Sequence, residues 1–256
     1  MNDADLAAYF GVAPAILEHV PELLQDLWEL GSDPELVLEW LREEGLGGSG
    51  TRVLDLGCGK GAVAMTVAEE LGCRVDGIDA LPAFIDLARG EARARGLGQL
   101  CRFEVGDLRE TIREARGYDA VLLVSVGVLG SAEALVGGCR RCVKDGGVII
   151  IDDAYLVRPG AIEFPGYDNL TTREETLRQL ASHGDELLRE RRTPRAEVRA
   201  QNKRYSRAIE RRVAELTARH PEHAHSLRDY LHKERRECEI LETVVECATW
   251  MLRRQG

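Results

Sequence analysis

Val53-Leu-Asp-Leu-Gly-Cys-Gly-Lys-Gly-Ala62 reads as a strand that enters a tight glycine turn and leaves it as a helix. Val53, Leu54 and Leu56 suit a strand covered on its faces, and Ala62 opens a run of helix formers. Gly57 and Gly59 permit backbone angles closed to other residues and let a ligand approach the main chain. The helix start behind them is expected to offer unpaired N–H groups. Such a turn is a nucleotide or cofactor cradle. Because Gly57, Gly59 and Ala62 also fit G-x-G-x-x-A, the turn alone does not separate a dinucleotide site from other adenosyl sites.

Around this turn, short apolar runs alternate with helical stretches. The runs are 52–56, 74–78, 102–105, 120–124 and 148–151, and the helical stretches are 62–71, 82–95, 108–115 and 132–143. This alternation builds a parallel sheet with helices on both faces. Beyond Asp153 a helix is predicted over 171–181 with Thr171/Thr172 as cap, then a strand over 186–192. A long run of helix formers follows, with Val198, Tyr205, Ile209, Val213 and Leu216 on one face. His220-Pro221 breaks it, a second helix runs from about Glu222 to Leu241, and Val244–Leu252 closes as a strand. Before the turn, apolar residues at helical spacing predict short amphipathic helices, the last started by Asp33-Pro34. GLGGSG at 45–50 is a flexible joint. The expected organisation is an N-terminal helical cap at 1–46, a cofactor-binding core at 47–194, a helical insertion at 195–241 serving as lid or dimerisation element, and a last core strand with the C-terminus at 242–256.

Three acids sharpen the reading of the cradle. Asp79 closes the second strand, 22 residues beyond Gly57, where a carboxylate accepts both hydroxyls of a ribose. Asp107 follows the third strand, aimed at the same crevice and placed to accept from the exocyclic amine of adenine. Asp55 puts negative charge beneath the turn, where a pyrophosphate is repelled and a cationic ligand is not. That favours S-adenosylmethionine, whose sulfonium and ammonium are positive.

With Asp55-Leu-Gly57-Cys-Gly59-Lys-Gly61, Asp79 and Asp107 in this order, the sequence resembles the class I S-adenosylmethionine-dependent methyltransferases, over residues 51 to about 153. Gly77-Ile-Asp-Ala-Leu-Pro-Ala-Phe-Ile85 is similar to a bacterial small-molecule subgroup. Lys60 departs from the Thr or Ser common at its position. The resemblance implies an α/β, Rossmann-like methyltransferase sheet of seven strands, five parallel plus a C-terminal antiparallel pair. It implies that Gly57, Cys58 and Gly59 lie against the methionine part, Asp79 with Ala80 at the ribose, and Asp107 and Leu108 around the adenine. Ser125 to Leu129 would face the methyl group and the acceptor.

Composition sets the remaining bounds. The chain has 256 residues, 44% hydrophobic and 30% charged, which excludes a disordered chain. Seven scattered cysteines fit reduced thiols in the cytoplasm, and Cys139-Arg-Arg-Cys142 reads as buried thiols with no metal ligand set. The N-terminus shows neither a signal peptide nor a membrane span. The net charge is −10, split as −16 over residues 1–188 and +6 over 189–256. The stripe Arg195, Arg199, Lys203, Arg207 and Arg211 reads as a solvated helix face, and His220, His223 and His225 as a solvated corner.

Methyl transfer is an in-line displacement that proceeds by alignment and exclusion of water, so it needs no triad. The acceptor is unknown from sequence, and Asp153, Tyr155 and Tyr167 are the candidate catalytic groups. The expected function is a methyltransferase with a small-molecule acceptor, no membrane partner and no nucleic acid, with homodimerisation open. Two other readings stay open: an NAD-dependent oxidoreductase, and an RNA-modifying methyltransferase using the basic C-terminal region.

Overall fold

The computed structural model describes residues 3–126 and 130–256. Five strands, β1 (Arg52–Leu56), β2 (Arg74–Asp79), β3 (Cys101–Val105), β4 (Tyr118–Val124) and β5 (Val143–Leu156), are joined by α4 (Ala62–Leu71), α5 (Pro82–Ala94), α6 (Leu108–Glu114) and α7 (Ala132–Cys142). With β6 (Glu186–Arg192) and β7 (Val245–Arg253) they form a seven-stranded sheet of order β3-β2-β1-β4-β5-β7-β6. The pairs β3/β2, β2/β1, β1/β4 and β4/β5 are parallel. β7 runs the other way: Gly146 donates to the Arg254 carbonyl at one end of its pairing with β5, and Val157 to Val244 at the other. The strand order reverses beside β1, and such a reversal opens a crevice at the carboxyl ends of the strands. The predicted Rossmann-like sheet of seven strands is therefore present.

β4 and β5 show why these runs become strands. Every residue from Ala120 to Val124 and from Val148 to Ile151 is buried, as expected of parallel strands covered on both faces. β5 is longer than its apolar run because the partner strand sets its length: β7 pairs with it out to Gly146 and Val157. β6, Glu-Leu-Leu-Arg-Glu-Arg-Arg, is an edge strand whose charge discourages further pairing. Its Arg189 reaches Glu43 at 3.1 Å and also pairs with Glu44.

The chain divides into two compact units. One holds residues 29–153, 174–191 and 248–256, with α3 (Pro34–Glu43), the α4–α7 helices, α8 (Arg173–Leu180) almost entirely, and most of the sheet. Asp33 Oδ1 accepts from the Leu36 amide at 3.1 Å, so Asp33 caps α3 as read from Asp33-Pro34. Cys139 and Cys142 are buried in α7.

The second unit holds residues 1–28, 154–173 and 192–247. Its N-terminal part comprises α1 (Asp3–Phe10), a 3-10 turn at Pro14–His19 and α2 (Val20–Leu23). α9 (Arg195–Arg219) and α10 (Ala224–Thr243) form an antiparallel hairpin, joined by Asn202 Nδ2 to Glu242 at 3.0 Å and Arg235 to Glu210 at 2.9 Å. The basic stripe is exposed at Arg199, Lys203, Arg207 and Arg211, as expected of a solvated face, and its arginines also make bonds. Arg195 donates to the Glu242 carbonyl, Arg199 lies 3.7 Å from the Glu242 carboxylate, and Arg211 bonds Asp26 at 2.6 Å. At the corner His225 is exposed as expected, whereas His220 and His223 are half-buried, with the ring of His19 4.6 and 5.5 Å from them. Among the described residues, no helix is long and apolar enough to cross a membrane.

Candidate cofactor site

Gly57, Gly59 and Gly61 have φ of 75°, 53° and 84°, a left-handed region that disfavours a Cβ. A Cβ on Gly57 would lie 2.4 Å from Val126 Cγ2, one on Gly59 2.8 Å from Leu30 Cδ1, and one on Gly61 2.8 Å from Phe103 Cζ. The turn is therefore bare for two reasons, backbone angle and close approach.

Amides of the turn itself are bonded within the protein. Gly57 and Cys58 donate to the Ile78 carbonyl at 2.8 and 3.0 Å, Gly59 donates to Asp79 Oδ2 at 2.9 Å, and Gly61 to the Cys58 carbonyl at 2.8 Å. The second strand ends beside the turn and takes up the donors, a tertiary pairing that a local motif does not reveal.

Asp79 accepts from Gly59 through Oδ2 and from the Leu81 amide through Oδ1 at 2.8 Å. Burial raises its pKa, and the amides of Leu81, Gly59 and Ala80 pull it back down. Asp55 is buried beneath the turn, and its Oδ2 has no hydrogen-bond partner. Burial first, then the charge of Asp79, pushes Asp55 up to about 7, against the bond from the Ala64 amide. Its negative charge at neutral pH is thus smaller than the sequence reading supposed.

Asp107 caps α6, accepting from the Arg109 amide at 2.9 Å, and holds the Arg109 guanidinium at 2.7 Å. Arg109 lowers its carboxyl to about 2. The Gly106 amide donates to the Asp79 carbonyl at 2.9 Å, so the Asp107–Leu108 turn stands next to Asp79. Ser125 follows β4, with its Oγ 3.4 Å from Asp152 Oδ1 and Val126 beyond it against Gly57. Gly127, Val128 and Leu129, also expected at the acceptor, lie outside the described residues.

The family described as Methyltransferase domain matches residues 53–147, the turn, both following acids and strands β1 to β4 included. Residues 53–147 form a methyltransferase domain. Aklanonic acid methyltransferase DauC of Streptomyces sp. (strain C5) is 42% identical over 76 residues, which is 29% of this chain and 34% of that protein. The 2-heptyl-1-hydroxyquinolin-4(1H)-one methyltransferase of Mycobacteroides abscessus is 34% identical over 119 residues, 46% of either protein. The chain thus spans less than half the length of these curated relatives. A solved S-adenosylmethionine-dependent methyltransferase from Geobacter sulfurreducens, in complex with S-adenosyl-L-homocysteine, is similar with a TM-score of 0.76 at 20% identity, covering 93% of this chain and 98% of that one. At that identity the likeness is one of fold.

Within the methyltransferase domain and its sheet, Asp55, Gly57, Cys58, Gly59, Asp79 and Ala80 come together as one cluster, with Asp107, Leu108 and Ser125 at its borders. Asp153 ends this unit at β5, half-buried, next to Asp152. Tyr155 and Tyr167 belong to the other unit, where Tyr155 donates to Glu246 and Tyr167 to Glu237 at 2.9 Å. Burial and Glu246 push the Tyr155 phenol up to about 12. Two groups escaped the sequence reading, Leu30 and the Asp152–Thr249 pair, and Val126 was expected at the acceptor, with no contact to Gly57 foreseen. Leu30 and Val126 touch the turn only through the folded chain, and no spacing rule marks them. Asp152 is one of two adjacent acids, and the donor that distinguishes it, Thr249, lies 97 residues away.

Proposed function

We propose that the chain is an S-adenosylmethionine-dependent methyltransferase that acts on a small-molecule acceptor by in-line methyl transfer. The observation that carries this reading is the turn itself. Three left-handed glycines bare the backbone, the amides of Gly57, Cys58, Gly59 and Gly61 are bonded internally, and a buried acid, Asp55, stands below it and a half-buried one, Asp79, beside it. Carboxylates beneath and beside the turn repel a dinucleotide pyrophosphate and do not repel a cationic ligand. The same feature argues against an NAD-dependent oxidoreductase.

When bound, S-adenosylmethionine supplies a methyl group on a positively charged sulfur. The chain's own residues do the rest. Gly57, Cys58 and Gly59 would hold the methionine part, Asp79 with Ala80 the ribose, and Asp107 with Leu108 the adenine. Each fits its role: Asp79 is an acceptor at the edge of the bare turn, and Asp107 is an ionised acceptor next to it. Asp55 supports the field beneath the turn, gaining charge as a cation approaches. The acceptor's own proton is assigned to no residue; Asp153, Tyr155 and Tyr167 remain proposals for acceptor contact. Residues 195–241 are proposed to carry acceptor selectivity, as elements added to a conserved-type core commonly do.

The test is calorimetric titration of the purified chain with S-adenosylmethionine, S-adenosyl-L-homocysteine and NAD. Binding of the first two without the third is the expected result. NAD binding alone would overturn the reading.

A further inference from the structure

Two non-glycine residues among those described have a left-handed backbone, Leu30 at φ 50° and Ser125 at φ 59°. In that region Cβ crowds the carbonyl, so a leucine held there is held by its surroundings, and such strain collects at ligand sites. Both residues stand at the glycine turn. Leu30 Cδ1 occupies the space against Gly59, 2.8 Å from where its Cβ would be. Ser125 precedes Val126, which lies against Gly57, and Ser125 Oγ is 3.3 Å from where a Cβ on Gly31 would stand. The dipeptide Leu30-Gly31 therefore runs from Gly59 to Ser125.

The segment is pinned on either side of that contact. Ser32 donates to the Glu29 carbonyl through its amide at 3.0 Å and its hydroxyl at 2.7 Å. Asp33 caps α3 and meets Arg191 at 3.4 Å. Leu36 and Leu38 after it are buried, yet Leu30 is only half-buried. A leucine needed for packing alone gains most from full cover and an ordinary backbone; Leu30 has neither.

We infer that Leu30 is a cofactor-contacting residue, an aliphatic wall set against the Gly57–Gly59 turn from outside the strand–turn–helix motif, with Gly31 and Ser125 fixing its left-handed conformation. This rests on the reading of the turn as the S-adenosylmethionine site. Its apolar side chain excludes water from the methionine part of the ligand, where the transferable methyl is carried. S-adenosylmethionine and S-adenosyl-L-homocysteine share that chain, so the contact serves both.

The experiment is calorimetry of wild type, Leu30→Gly and Leu30→Asn with S-adenosylmethionine and S-adenosyl-L-homocysteine, beside thermal melts without ligand. Both replacements tolerate the left-handed backbone, which keeps folding and binding apart. The expected result is about a tenfold or greater loss of affinity for both ligands, while Leu30→Gly melts close to the wild type because relieved strain offsets the lost side chain. Unchanged affinity in either folded variant overturns the inference and leaves Leu30 a packing residue. A wild type that binds neither ligand brings down the cofactor reading, and this inference with it.

Discussion

Thr249 Oγ1 donates to Asp152 Oδ2 across 2.6 Å, tying the antiparallel strand β7 to the carboxyl end of β5. Asp152 stands opposite Val124 in the β4/β5 register, and its other oxygen meets Ser125 at 3.4 Å. One carboxylate thus joins three strands' ends beside the residue that leads into Val126. Burial raises Asp152 to about 6, with the Thr249 and Ser125 bonds pulling the other way.

Thr249→Val keeps the shape and removes the donor. At pH 8, with Asp152 ionised, the loss is expected to be about 2 kcal/mol, in the range of hydrogen bonds to charged groups. At pH 5, with Asp152 protonated, the loss should be smaller. Urea denaturation at the two pH values measures both, and equal losses would show that Thr249 does not bond the carboxylate.

Asp55 makes the unliganded chain less stable as pH rises. Its carboxyl titrates near 7 when folded, against about 3.9 in an unfolded chain. The folded state therefore binds the proton more tightly, and the stability it confers is complete below the unfolded value and drains away between about pH 4 and pH 7. One proton accounts for at most about 1.4 kcal/mol per pH unit. Asp55→Asn is expected to flatten the stability profile between about pH 6 and 7, where the slope contributed by Asp152, which titrates at about 6, is already falling. A slope unchanged by the substitution would reassign the proton to another group.

Asp79→Ala removes the proposed ribose acceptor, and S-adenosylmethionine affinity is expected to fall by about 1.5 to 3 kcal/mol. The structure adds a second effect, because Asp79 also holds the amides of Gly59 and Leu81. Asp79→Asn retains an acceptor oxygen for one of these two amides and should melt closer to the wild type than Asp79→Ala. Calorimetry and melts of both variants separate binding from folding, and full affinity in folded Asp79→Ala would remove Asp79 from the site.

Gly59→Val is expected to damage stability as well as binding. A β-branched residue at φ 53° is strained, and its Cβ would meet Leu30 at 2.8 Å. The combined cost should reach about 2 kcal/mol or more in denaturant titration. Gly59→Ala, without the branch, should lose less. If both variants unfold like the wild type, the left-handed geometry of the turn is not required.

The local alternation of the chain determined much by itself. β1 and β6 begin and end where their sequence patterns predict, at 52–56 and 186–192, and α4 spans the predicted 62–71. These limits are written in short-range signals: the change from a period of two to a helical one, and glycines where only glycine accepts the backbone angle. The cluster of Asp55, the turn and Asp79 was legible for the same reason, since a strand, its turn and the end of the next strand occupy fixed places in any parallel pair. Partners distant in sequence were not legible. That the turn's amides are taken by Ile78 and Asp79, that burial raises the Asp55 carboxyl, that Asp107 is held by Arg109, and that Leu30 and Val126 lie on the glycines follow from tertiary packing. Hydrogen bonding, desolvation and close approach depend on distances in space, and a sequence encodes those only through the complete fold.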